Sequence, residues 1–184
     1  MDQRIKASEE AMKGALIRLL QKKEPARITV VELCREAGVN RSTFYDRYGY
    51  MDGLVLAVLR DCVAYICLPE DVAAFFALEE TGVPRSTILR YLKRFTENDI
   101  INIFCTCQKS ELYRQLIIQI HVDLTLNHVY DPHRFYPTYF QNAGVINTVL
   151  QWMQDGQPIP LEELAEIIHQ FSRSMSLNYP RLGK

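Results

Sequence analysis

The stretch Ile28-Thr29-Val30-Val31-Glu32-Leu33-Cys34-Arg35-Glu36-Ala37-Gly38-Val39-Asn40-Arg41-Ser42-Thr43-Phe44-Tyr45 decides how the chain is read. Thr29 stands three residues before Glu32, the spacing of a capping box in which the hydroxyl takes the Glu32 N–H and the carboxylate reaches back. A short helix from Val30 to about Ala37 follows, and Gly38 ends it where a positive φ is wanted before a sharp turn. Asn40 suits the N-cap of a further helix, Arg41 to Tyr48. Two short helices joined by a tight glycine-containing turn form a helix-turn-helix. Their close crossing needs a small inward residue, which Cys34 supplies, while Leu33, Ala37, Val39 and Phe44 make the shared core.

Outward from this stretch, apolar residues keep helical spacing almost everywhere, and alternating runs joined by Asn-Gly or Asp-Gly turns are missing. Ahead of it, Met12, Ala15, Leu16, Leu19 and Leu20 mark one face of a helix from about Ser8 to Lys22, which Pro25 separates from the next. Behind it, a helix from Leu54 to about Ile66 leads away as a lever. Punctuation at Pro69, Thr81-Gly82, Pro84 and Asp131-Pro132 bounds helices near 70–80, 85–96, 99–105 and 110–128. Two more run from about Tyr136 to Gln154 and Pro160 to Leu177. The expected fold is all-α: a three-helix N-terminal domain over residues 1–50 and a larger helical domain over 51–184.

With 184 residues and 48% hydrophobic content, the chain can bury a core without disulfide or metal. The net charge of −1 argues against a protein that coats polyanions, but the first fifty residues hold ten Lys and Arg against seven Asp and Glu, so the front end alone is basic. The five cysteines, an odd set without framework spacing, and the lack of a signal-like apolar start point to a reducing cytoplasm. The longest apolar run is too short to span a bilayer. His121 and His128, seven apart, with Asp123, His133, Cys105 and Cys107 nearby in sequence, are the candidates for a metal or nucleophile. The spacing is poor: helical residues seven apart lie about 10 Å from each other, and Cys-x-Cys on a helix splays its thiols. Packing roles are therefore expected, with no metal, no cofactor and no catalysis.

The quoted stretch, helix one at its distance ahead, the Thr-Phe-Tyr step and Leu54 behind resemble the signature of the tetracycline-repressor (TetR) family. The resemblance implies a DNA-binding regulator of transcription. Within it Arg41, Ser42 and Tyr45 would face bases and Thr43 and Arg47 would hold phosphates, residue types that suit those partners; Thr29 joins this DNA-binding set. It also implies a homodimer, since a single helix-turn-helix contacts too few base pairs while two about one helical turn apart read a palindrome. Tyr139, Ala143, Ile146, Leu150, Leu164, Ile168 and Phe171 on the last two helices would form the interface. An unknown small-molecule effector would sit among Tyr65, Phe75, Phe76, Leu92, Phe95, Ile103, Phe104, Leu116, Ile120, Leu124 and Phe140, and act by changing the spacing of the two heads.

Two positions depart from the family pattern. Met51 replaces the usual phosphate-binding Lys, and Asp46 adds a negative charge beside the DNA, leaving Lys22, Lys23, Arg27 and Arg47 to compensate. These departures motivate a second reading, a coactivator or adaptor of the same fold working through protein–protein contact. A metal or redox sensor ranks behind it.

Overall fold

A computed structural model of the chain describes residues 3–68, 83–107, 110–126 and 131–178. All regular structure among them is helical: α1 (Gln3–Leu20), a 3₁₀ turn (Pro25–Arg27), α2 (Val30–Ala37), α3 (Arg41–Tyr48), α4 (Met51–Ile66), α5 (Arg85–Thr96), α6 (Asp99–Thr106), α7 (Ser110–Leu126), α8 (Pro132–Gln154) and α9 (Leu161–Asn178). The helix expected near 70–80 lies outside the described residues.

Helix α1 buries Met12, Ala15, Leu16, Leu19 and Leu20, the stripe read from sequence. It begins five residues before the expected Ser8, because the Ser8 hydroxyl donates to the Arg4 carbonyl inside the helix at 2.9 Å instead of capping it. Helix α8 likewise starts ahead of the expected Tyr136. Asp131 accepts the His133 N–H at 3.0 Å, and Pro132 occupies the first turn, where its missing N–H costs nothing. Pro137 then sits inside the helix.

Helix α1 packs on α2, α3 and α4, and these four make the head. Beyond it, α4 lies against α5, α6 and α7; α7 carries α8, and α9 packs on α5. Fully buried Leu54, Leu59, Val63 and Ile66 tie α4 into one core with Ile88, Leu92 and Phe95 of α5 and Phe104 of α6. Arg94 closes the end of α4, its guanidinium donating to the Ile66 carbonyl at 3.0 Å, one of the acceptors a helix C-terminus leaves unpaired. The start of α5 is tied to the last helix. The Val83 N–H donates to Ser172 Oγ at 3.2 Å, and the Val83 carbonyl lies 2.7 Å from His169 Nδ1.

Candidate nucleic-acid interface

The turn between α2 and α3 sets how α3 is presented. Thr29 caps α2, its Oγ1 accepting the Glu32 N–H at 3.3 Å. The return arm of the expected capping box is absent: the Glu32 carboxylate instead binds Lys23 Nζ at 2.5 Å, because an ammonium is a stronger donor than a backbone N–H. Gly38 takes φ 67°, a left-handed conformation that any side chain would strain, and the Val39 N–H returns to the Cys34 carbonyl at 3.0 Å. Asn40 occupies the N-cap of α3 without a side-chain bond to the helix.

Phe44 is fully buried and anchors α3 on the head, with Leu33 and Cys34 buried beneath it. The opposite face carries the expected reading set. Arg41, Ser42 and Tyr45 are exposed, Tyr45 by 52% with its ring edge-on to Phe44, and Thr43 is half-buried beside them. Thr29 is also exposed, one helix earlier. Tyr50, which sequence reasoning did not single out, is 79% exposed at the N-cap of α4, where no side chain caps the helix. The signal for it was available: an aromatic after Gly49, directly behind the recognition helix.

Several of the head's cations are already engaged. Arg47 Nε binds the Glu9 carboxylate and so links α3 to α1. Arg18 Nε donates to Glu36 at 2.8 Å, and Lys13 Nζ to Asp61 at 2.6 Å, the latter joining α1 to the lever. The hydrogen bond it donates to Asp61 raises the Lys13 ammonium above its usual range. Bonds from Lys23 and Arg18 lower the Glu32 and Glu36 carboxyls. Of the four cations expected to compensate for Met51, Lys23 and Arg47 thus have carboxylate partners within the head. Asp46 is exposed on α3, and Met51 is half-buried against the core. Gly53 packs so closely behind α3 that a Cβ there would overlap the Tyr48 carbonyl oxygen.

In the larger part, Leu92, Phe95, Phe104 and Ile120 are buried and Leu116 and Leu124 half-buried, so the expected effector residues are brought into or beside one core. Phe75 and Phe76 lie outside the described residues. Tyr65 and Phe140 stand apart from that core, 67% and 70% exposed. The expected interface residues divide. Ile146, Leu150, Leu164 and Ile168 point into the chain's own core, a correction that follows from both helices being apolar on more than one face. Ala143 is half-buried, and Tyr139 and Phe171 face out, beside Tyr136, Phe140 and Ile167. A groove of about 240 Å³ runs between α8 and α9 among Phe140, Val145, Ile167 and Phe171. All five cysteines are free thiols. Among the described residues no three His, Cys, Asp or Glu side chains could hold a metal, and no helix is long and apolar enough to cross a membrane.

Residues 14–58, which contain α2, α3 and their turn, match the family of bacterial regulatory proteins named tetR. The match likens the head of the chain to that family. The relative YxbF of Bacillus subtilis (strain 168), an uncharacterized HTH-type transcriptional regulator, is 24% identical over 186 residues, which cover 93% of this chain and 46% of that protein. The chain therefore spans about half the length of this curated relative. Among solved structures, the TetR family repressor AlkX of a Dietzia species superposes with a TM-score of 0.63 at 13% identity, over 92% of this chain and 97% of that one. RolR in complex with resorcinol superposes with a TM-score of 0.60 at 12% identity, over the full length of both. At such identities these two structures share the fold with the chain over most of its length.

Proposed function

We propose that the chain is a ligand-responsive repressor of transcription that binds a palindromic operator as a homodimer, with residues 1–50 as reading head and 51–184 as the effector-binding and dimerising part. The observation that carries this reading is the outward face of α3. Arg41, Ser42 and Tyr45 stand free of the core while Phe44 fixes the helix beneath them. In the major groove Arg41 donates to a guanine edge, Ser42 and Tyr45 meet neighbouring bases, and Thr43 and the N-cap hydroxyl of Thr29 approach phosphates. Tyr50 and the uncapped first turn of α4 offer further phosphate donors.

Dimerisation uses the exposed Tyr136, Tyr139, Phe140, Ile167 and Phe171 together with Ala143. An apolar cluster of that size on a single chain favours a partner. A second copy of the same face closes it with two-fold symmetry, matching a palindrome. Ligand response is supported by the position of Leu92, Phe95, Phe104 and Ile120 against α4, and by the resorcinol bound to the structural relative RolR. Gel shifts of pure protein on DNA beside its own gene test the reading. A retarded band that competes with its own unlabelled site is expected, and no shift on any such fragment would sink it.

The pairing of Lys23 and Arg47 with carboxylates, with Asp46 on α3, favours as second reading a coactivator or adaptor whose DNA contacts are weak. It predicts a gel shift only when cell extract supplies a partner.

A further inference from the structure

Helix α5 places Tyr91, and α7 places His121, in the core beside the lever helix. Tyr91 Oη lies 2.6 Å from His121 Nε2, and both residues are buried. Their surroundings are apolar: Phe95 meets Tyr91 edge-on with ring centroids 5.1 Å apart, and Ile88 and Leu92 are fully buried on the same helix. The other ring nitrogen, Nδ1 of His121, is sealed from solvent and has no hydrogen-bond partner. The hydroxyl one turn along does not serve it, because Thr125 Oγ1 donates to the His121 and Val122 backbone carbonyls at 2.7 and 3.3 Å. Burial alone acts on the ring, lowering its pKa to about 4, so it is neutral and no charged group holds it. An orphaned buried nitrogen lowers stability unless something occupies it, and each such atom asks for a reason.

We infer that His121 Nδ1 is the hydrogen-bonding anchor of the effector, and that the effector is an uncharged, mostly apolar molecule carrying a hydroxyl group. The inference rests on the ligand-responsive reading above and gives that site its polar contact and ligand class. If Tyr91 donates to Nε2, then Nδ1 carries the ring proton and needs an acceptor. If Nε2 donates to Tyr91, then Nδ1 is bare and needs a donor. A hydroxyl meets either tautomer. A carboxylate only accepts, and it would bring a charge into a core with no cation at the ring.

The pair is also placed to act. Helices α5 and α7 both pack on α4, and α5 holds the end of α4 through Arg94 and the Ile66 carbonyl. Nδ1 is closed in this structure, so the ligand binds a form in which the side chains over the ring have parted. Stabilising that form moves the helix that carries the head.

The test uses the full chain with nitrogen-15-labelled histidine, titrated with matched probes: phenol against toluene, cyclohexanol against methylcyclohexane, and benzoate. Phenol or cyclohexanol is expected to shift the His121 ring resonances and to change affinity for the chain's DNA site, whereas the methyl analogues and benzoate leave the ring unmoved. In His121→Phe, affinity for the hydroxyl probes should fall about tenfold, the worth of one hydrogen bond. If that variant does not fold, the wild-type ring resonances decide. Hydroxyl probes that shift other resonances of the larger part but not His121 would overturn the anchor while leaving the ligand-responsive reading standing. Preferred binding of benzoate at the ring would overturn the uncharged class. If no probe binds and DNA affinity is unchanged, both readings fall.

Discussion

Arg47 of the recognition helix is bound to Glu9 of the first helix, so a cation expected on DNA phosphate is held by a carboxylate of its own head. The pair lies near the surface, where such links contribute at most about 1 kcal/mol, and a phosphate can compete for the guanidinium. Glu9→Gln should release Arg47 and steepen the slope of log affinity against log salt by roughly 0.9, the increment for one phosphate contact. Adding Arg47→Ala to Glu9→Gln should return the slope to its wild-type value. If Glu9→Gln leaves the slope unchanged, Arg47 is a structural tie and not a DNA contact.

Thr29 has a local duty that does not depend on DNA. With the Glu32 carboxylate turned to Lys23, the Thr29 hydroxyl is the side-chain cap α2 retains. Thr29→Ala is expected to lower unfolding free energy by about 1 kcal/mol, and Thr29→Ser by much less. Denaturant unfolding of both variants measures this. Equal stability of the two would mean the cap carries no weight.

Gly53 fixes how closely the lever approaches the recognition helix. The obstacle to a Cβ is a backbone carbonyl, that of Tyr48, which cannot rotate away as a side chain would. Gly53→Ala should therefore cost about 2 kcal/mol, typical of overpacking, and tilt α3 enough to weaken operator binding more than stability. Thermal melts and gel shifts on the same preparation separate the two effects. An unperturbed gel shift would show that α3 tolerates the displacement.

Acid should expose the buried imidazole. His121 is lowered from its ordinary 6.5 to about 4 by burial, so between those pH values the unfolded chain binds a proton that the folded chain does not. Stability therefore falls as pH drops through that window, by about 3 kcal/mol in all. Carboxylates contribute at the lower end, so the relevant quantity is wild type minus His121→Phe, which should show this slope between pH 7 and 4. A difference that stays flat with pH would place the ring in contact with water.

Phe171 tests the proposed seam. It is 69% exposed on the single chain, so a charge there should change monomer stability by no more than about 0.5 kcal/mol. Against a second copy the same charge would be buried, and Phe171→Glu should weaken self-association roughly 30-fold or more. Sedimentation at graded concentrations reads the result. A variant that still dimerises moves the interface elsewhere, and a wild-type chain that is monomeric at all concentrations overturns the dimer itself.

The head was largely legible from sequence because its determinants are local. Thr29, Gly38 and Phe44 each act within a few residues, through a cap, a left-handed turn and a helix-face anchor, and each stands where its neighbours imply. The return arm from Glu32 failed as a reading because its competitor, Lys23, comes from a preceding segment that folds back on it. For the same reason nothing near Arg47 in sequence pointed to Glu9, 38 residues away. In the larger part, periodicity marked Ile146, Leu150, Leu164 and Ile168 as apolar but could not tell which of two apolar faces meets the chain's own core. Tyr91 carries no local signal and His121 reads only as one of a poorly spaced set of metal candidates, since their pairing depends on how α5 and α7 cross.

The bonds from Val83 to Ser172 and His169 close loops of 89 and 86 residues. Closing a loop of that length costs chain entropy before any contact repays it, which makes such contacts late. The contacts of the head, by contrast, close shorter loops, of 38 residues from Glu9 to Arg47 and 48 from Lys13 to Asp61. As the chain emerges during synthesis, the head can take its shape while the start of α5 waits for α9 to be made. A truncation or frameshift that removes α9 would thus leave a folded head on an unfinished body with an apolar core uncovered, a product that a cell would clear by proteolysis and that could not act as a trimmed regulator.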